Sequence, residues 1–264
     1  MDQSYWHKQT ADKPLYADML WSRPENRLHA GKLLIIGGNA HGFVAAGEAY
    51  QAATKAGIGT ARMLLPDSLQ KLLGRSFDAG EYGPTTPSGS FSQRALAEAL
   101  AMANWADGVL LAGDLGRNSE TAILLEKFAS KYSGQLTVAK DAADYFISTP
   151  QPILERPETL LVISLAQLQK LAMQAHFTTA FTFGMDILRF VDALRGFTEK
   201  HGLHIIVKHL DNIFVASGGQ VSSTKLTNDI PLWRVRTSAA AATWWLQNPG
   251  KTFQALTTSL AGDF

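Results

Sequence analysis

Lys32-Leu33-Leu34-Ile35-Ile36-Gly37-Gly38-Asn39-Ala40-His41-Gly42 is the stretch on which the fold turns. An aliphatic run, Leu33 to Ile36, meets paired glycines with no polar residue between. A short continuous apolar run closed by turn residues predicts a strand buried on both faces, as in a parallel sheet. Glycines at its carboxyl end let the backbone turn sharply and let a ligand approach the main chain. A helical pattern follows at once, Val44 to Gly57. In open α/β sheets, ligands bind beyond the carboxyl ends of the strands. The junction therefore predicts both a fold class and the place of a site.

Outward from the junction, the alternation continues. Ala45 to Lys55 is Ala-rich and stops at Gly57, a helix C-cap signal. Thr60 to Leu65 reads as a strand closed by Pro66, and Asp67 and Ser68 can cap a short helix, Leu69 to Leu73. Gly74 to Gly89 is rich in Gly, Pro, Ser and Thr and reads as a loop, mobile or functional. Helices are predicted over Phe91–Ala103, Ser119–Tyr132 (Ser119 as N-cap), Leu165–Met173, Phe183–His201, Ala239–Leu246 and Thr252–Ala261. Strands are predicted over Gly108–Ala112, Leu136–Ala139, Thr159–Ile163, and the pair His204–Lys208 and Ile213–Ala216. Strands alternating with helices predict a parallel sheet with helices on both faces, the late pair being antiparallel. Residues 1–31 read as an N-terminal arm docked by apolar residues such as Trp6, Met19 and Trp21; residues 32–264 read as a single domain.

Composition narrows the function classes. The chain has 264 residues, 46% hydrophobic and 18% charged, enough to fill a core and unlike a disordered chain. The net charge of +1, with no long basic run, gives no bulk attraction to nucleic acid. Without cysteine there are no disulfides and no thiolate metal sites. Met1 to Arg23 has no apolar h-region, and no apolar run reaches bilayer length. The expectation is a soluble, cytoplasmic, homo-oligomeric protein with a small-molecule ligand, no nucleic-acid partner and no membrane partner.

Single residues allow two readings each. Gly37, Gly38 and Gly42 approach a dinucleotide fingerprint, but Asn39 holds the place of its second glycine. His41 is either a ligand contact or an exposed loop histidine. Asp114 and Asp141 both follow strands; they are surface acids or helix caps, or a pair holding Mg²⁺ through water. Lys208 meets a phosphate or snorkels. Arg234 and Arg236, on an extended segment, share a side and offer cations to an anion, or are surface charges. His204 and His209 fall on opposite faces of one strand and make poor metal ligands; no metal site is expected. Trp244 and Trp245 pack the closing helix.

Three segments carry a resemblance: LLIIGGN through TARMLLP at Leu33–Pro66, ADGVLLAGDLGRN at Ala106–Asn118, and LHIIVKHLDNIFVA at Leu203–Ala216. Their order and wording resemble the ribokinase-like superfamily, most closely its ATP/ADP-dependent NAD(P)H-hydrate dehydratases, over roughly residues 28–262. The resemblance implies a three-layer α/β/α ribokinase-like fold with a mostly parallel sheet. It implies a lyase that eliminates water from hydrated NAD(P)H, driven by ATP or ADP with Mg²⁺. Carried over by position, Gly38, Asn39, Ala45, Gly116 and Ser164 would bind substrate, and Lys208, Asn212 and Arg236 the nucleotide. The departures are specific. Ala112, Gly113 and Asp114 replace the family's Gly, Pro and Gly. Ala139-Lys140-Asp141-Ala142 replaces Asp-Ala-Asp-Ala, and Ser164 stands at the family's histidine. His209 replaces the glycine after Lys208. The Gly-Ser-Gly-Asp motif, which supplies the family's base and anion hole, aligns with Leu232–Ala239, where Arg236, Thr237 and Ser238 stand and no glycine or carboxylate occurs; Asp229 is the nearest upstream acid. Without that aspartate no group is evident to move a proton. The alternative to an enzyme is thus a catalytically inactive relative that binds a nucleotide or another small molecule, or serves as an assembly subunit.

Overall fold

The computed structural model of the chain describes residues 4–73, 79–225 and 233–261. Part of the loop read at 74–89 (residues 74–78), the acid Asp229 and Leu232 lie outside the described residues.

The first strand, β1 (Trp6–Thr10), comes from the segment read as an arm. β2 (Lys32–Gly37) is the junction strand; Leu33, Leu34 and Ile35 are fully buried, each such side chain stabilising the fold by roughly 1.5–3 kcal/mol. Then follow α1 (Val44–Lys55), β3 (Thr60–Pro66), α2 (Gln70–Leu73), β4 (Gly80–Gly83), α3 (Leu96–Trp105), β5 (Gly108–Gly113), α4 (Ser119–Lys131) and β6 (Gln135–Ala139). The rest of the chain gives α5 (Asp144–Ile147), α6 (Gln151–Leu154), β7 (Thr159–Ile163), α7 (Leu165–Gln174), α8 (Ile187–His201), β8 (His204–His209), β9 (Asn212–Ser217), β10 (Gln220–Lys225), α9 (Trp233–Gln247) and α10 (Thr252–Thr258).

All ten strands join one sheet in the order β1-β10-β9-β8-β7-β6-β5-β2-β3-β4. β9 runs antiparallel to both of its neighbours, β8 and β10, as expected for the pair β8–β9; the other pairings are parallel. One apolar layer packs α1, α9 and α10 on the sheet through residues such as Ile35, Ala46, Ala239 and Trp245. The other packs α3, α4, α7 and α8 through Leu34, Phe128, Leu168 and Phe197. This is the expected three-layer α/β/α architecture. Among the described residues no helix is long and apolar enough to cross a membrane.

Local differences have physical causes. β10 escapes hydropathy because Ser222, Ser223 and Thr224 are buried with their hydroxyls paired: Ser222 to Thr257 (2.8 Å), Ser223 accepting from the Trp6 indole (3.1 Å), Thr224 from Gln9 (2.9 Å). β4 lies inside the predicted loop, paired with β3. α4 is capped by Asn118, whose side chain accepts from the Glu120 amide, rather than by Ser119. α8 starts at Asp186, its N-cap, so Phe183 is left 65% exposed outside the helix. α9 begins earlier than expected, which makes Arg234 and Arg236 helical rather than extended. Residues two positions apart on a helix are rotated by about 200°, so Arg234 and Arg236 face away from one another.

Candidate functional site

The carboxyl ends of β2, β5 and β6 surround an open cavity of about 760 Å³. Its lining includes Asn39, Asp114, Gly116, Asp141, Tyr145 and Lys170. The Gly37–Gly42 junction forms one wall. Gly37 must lack a side chain, because a Cβ there would stand 2.8 Å from the carbonyl oxygen of Gly113. Gly38 (φ +94°) donates its amide to that same carbonyl at 3.0 Å. Asn39 closes a tight turn with Gly42, accepts from the His41 amide (2.7 Å), and donates Nδ2 to the Asp114 carbonyl (2.6 Å).

Asp114 ties three elements together. Phe43, which precedes α1, has no side chain to cap the helix, and Asp114 Oδ2 accepts from the Ala45 amide (2.7 Å) in its place. Its other carboxylate oxygen is ion-paired with Lys140. Asp141 in turn accepts from the amides of Asp114 (2.7 Å) and Leu115 (3.0 Å), which orders the β5 loop. Asp114 (φ +58°) and Lys140 (φ +54°) are both left-handed, a strained conformation for residues with side chains that gathers at ligand sites. Tyr145 donates to the Gly116 carbonyl (2.7 Å) and accepts from the Asn118 amide (3.3 Å); burial raises its phenol above the usual range. The Pro84–Ser92 turn closes the remaining side: Ala40 donates to the Gly89 carbonyl (2.9 Å), and Asn118 to Ser88 (3.1 Å).

The structure thus gathers Gly38, Asn39, Ala45 and Gly116 at one place: Asn39 and Ala45 bond Asp114, Gly38 bonds the adjoining Gly113 carbonyl, and Gly116 is held by Tyr145. Ser164 stands apart at the end of β7. There it forms a capping box with Gln167 on α7, accepting from the Gln167 amide at 3.2 Å. Gln167 links it back to the cavity, donating to the Lys140 carbonyl (2.7 Å) and to Asp144 (2.8 Å).

The residues carried over for the nucleotide are dispersed. Lys208 pairs in register with Ile213, which belongs to the α9 layer; Asn212 pairs with His209, which packs on Phe190 of α8. The two therefore occupy opposite faces of the sheet. Arg236 lies on the outer side of α9, with Nε and Nη2 each 2.9 Å from Glu48 of α1. Thr237 and Ser238 are fully buried; Ser238 donates to the Val235 carbonyl, and Thr237 Oγ1 has no partner. Arg234 is the side chain that the first turn of α9 sends to the strand ends. It donates to Gln167 Oε1 at 2.9 Å. Burial lowers its pKa, Asp144 and Asp141 oppose the shift, and it stays a cation. Among the described residues no group of three or more His, Asp or Glu side chains is placed to hold a metal. His204 and His209 lie on opposite faces, against Trp245 and Phe190.

Sequence reasoning gave no role to Lys140, Tyr145 or Gln167, while the Pro84–Ser92 turn overlaps the loop read at 74–89 as mobile or functional. The one available signal was Gln167, three residues after Ser164, the capping-box spacing.

No protein-family model matches the chain, and no curated protein matches it by sequence. Solved structures do. A ribokinase-like superfamily protein of Enterococcus faecalis V583 superposes with a TM-score of 0.69 at 14% identity, over 98% of this chain and 86% of that one. The ADP/ATP-dependent NAD(P)H-hydrate dehydratase of Bacillus subtilis, co-crystallised with ATP/Mg²⁺, gives 0.56 at 10% identity over 93% and 85%. Phosphomethylpyrimidine kinase of Clostridium difficile 630 gives 0.55 at 8% over 86% and 96%. The fold is therefore ribokinase-like; identities this low speak for the fold alone.

Proposed function

We propose that this chain of ribokinase-like fold is a non-catalytic relative that binds a small molecule in the cavity at the ends of β2, β5 and β6. One observation carries the reading. The polar side chain that α9 sends toward the strand ends is Arg234, locked to Gln167. A guanidinium stays protonated and cannot take a proton from a substrate. The nearby carboxylates are already engaged: Asp114 by Lys140 and the Ala45 amide, Asp141 by two amides, Asp144 by Gln167. Polar contacts are left to a ligand in the cavity, from Asn39, Gly116 and Tyr145, each held by a hydrogen bond, and from the exposed Lys170.

A second reading keeps an enzyme, a nucleotide-dependent NAD(P)H-hydrate dehydratase in the cytoplasm. It is favoured by the clustering of Gly38, Asn39, Ala45 and Gly116, four of the five residues the resemblance assigns to substrate. ATP or ADP would then meet Lys208. Among the described residues no group of three or more His, Asp or Glu side chains is placed to hold Mg²⁺.

Thermal melting of the wild type and Lys170→Gln with ATP, ADP, NADH and NADPH tests the binding claim. A ligand that binds only the folded state raises the melting temperature. The reading expects a saturable rise with at least one of them that Lys170→Gln diminishes. Silence with all four contradicts a nucleotide or nicotinamide ligand.

A further inference from the structure

A second concavity, about 480 Å³, runs along the outer helical layer between α1 and α9. It shares no lining residue with the cavity at the strand ends. Three cations, Arg23, Lys55 and Arg236, line it against a single acid, Glu48. Two of these cations are already oriented. Arg236 is held by Glu48 through Nε and Nη2. Arg23 lies 4.8 Å from the centre of the Trp244 ring and donates to the Ala56 carbonyl at the end of α1. Side chains fixed before binding lose less freedom when they grip a ligand. Between the cations the wall is apolar, made by Ala52, Ala240 and the Trp244 indole. The volume falls in the range of small-molecule sites, roughly 300–1,000 Å³.

We propose that this groove binds a small organic anion, its phosphate or carboxylate head on Arg236, Arg23 and Lys55 and its apolar body against Trp244 and Ala240. The excess of cations over Glu48 selects the anion, and the Trp244 wall selects an attached ring or chain over a bare inorganic ion. The groove also touches both helices that end at the other site. α1 begins at the amide held by Asp114, and α9 begins beside Arg234. The proposal does not depend on what the strand-end cavity binds.

Isothermal titration of the full chain with phenyl phosphate, and in a parallel arm with benzoate, reads the groove; the tighter compound names the head group. Saturable binding is expected. A lost charge-assisted hydrogen bond makes Arg236→Gln about tenfold weaker. Glu48→Gln keeps an oxygen that accepts from Arg236 while removing the negative charge, and tightens binding about threefold, a direction that misfolding does not imitate. Lys170→Gln, in the strand-end cavity, leaves it unchanged. No saturable heat with either compound overturns the proposal. So does binding that survives Arg236→Gln, fails to tighten in Glu48→Gln, or is lost in Lys170→Gln.

Discussion

The Gly37–Gly42 junction and the first turns of α9 meet at the same end of the sheet and solve its polar problems in opposite ways. The junction works on backbone groups, through close approach of glycines and short side chains. Gly38 donates to Gly113, Asn39 holds the Asp114 carbonyl, and α1 is capped from another loop by Asp114. The start of α9 works through long side chains, with Arg234 on Gln167 and Arg236 on Glu48. Backbone solutions depend on glycine and on strand spacing, so they come with the fold. Side-chain solutions can be rewritten without moving a strand, and the start of α9 is one of the places where the chain departs from the sequence pattern it otherwise resembles. The comparison teaches that the fold and the chemistry of this sheet end are separable.

The largest expected effect falls on the junction. Gly37→Ala places a methyl 2.8 Å from the Gly113 carbonyl, a backbone atom that cannot yield without parting β2 from β5. A loss of about 3 kcal/mol in a denaturant titration is expected from such overpacking. A change below 1 kcal/mol (roughly the scatter of surface substitutions) would break the claim that backbone approach governs this side.

The α9 layer is tested at its far end by His204. Burial beneath Trp245 lowers its pKa from 6.5 to about 4. Between those values the unfolded chain binds a proton that the folded chain refuses, so stability rises with pH across the window and is lost as pH falls through it. The loss approaches roughly 2–3 kcal/mol toward the acid end. Denaturation midpoints near neutral pH and at about pH 5 check it: His204→Gln should flatten the slope, and an unchanged slope would assign it elsewhere.

Asp141→Ala comes next. It strips the amides of Asp114 and Leu115 of their acceptor, at a cost of roughly 1–3 kcal/mol. Amide exchange should speed up at Asp114 and Leu115 before the rest of the sheet; uniform acceleration would mean that Asp141 does not order this loop. Arg236→Gln is the mildest. Its partner Glu48 is partly exposed, and such pairs contribute about 0–1 kcal/mol. A melting temperature close to wild type is expected, and a large drop would make α9 more dependent on side chains than the comparison allows.

Sequence patterns located β2, α1, β3, β5, β6, β7 and the β8–β9 pair because apolar runs and glycine stops report burial directly. β10 stayed hidden, since Ser222, Ser223 and Thr224 are buried by pairing hydroxyls rather than by hydrophobicity. At the site, Asn39 and Gly116 entered through the resemblance, and the turn at Gly37 and Gly38 was legible from loop chemistry. The role of Asp114 as a cap for α1 was not, because the two are 69 residues apart in the chain. Arg234 and Arg236 were misread in orientation because a helix was taken for an extended segment, and a period of 3.6 instead of 2 turns their side chains apart.

The central claim is that the chain keeps the fold without the proton-transfer chemistry. Hydrated NADH incubated with the protein and either ATP or ADP, followed by the absorbance of regenerated NADH, tests it most directly. A rate equal to the protein-free control is expected under both nucleotides. Regeneration above that control, proportional to protein and dependent on either nucleotide, would contradict it.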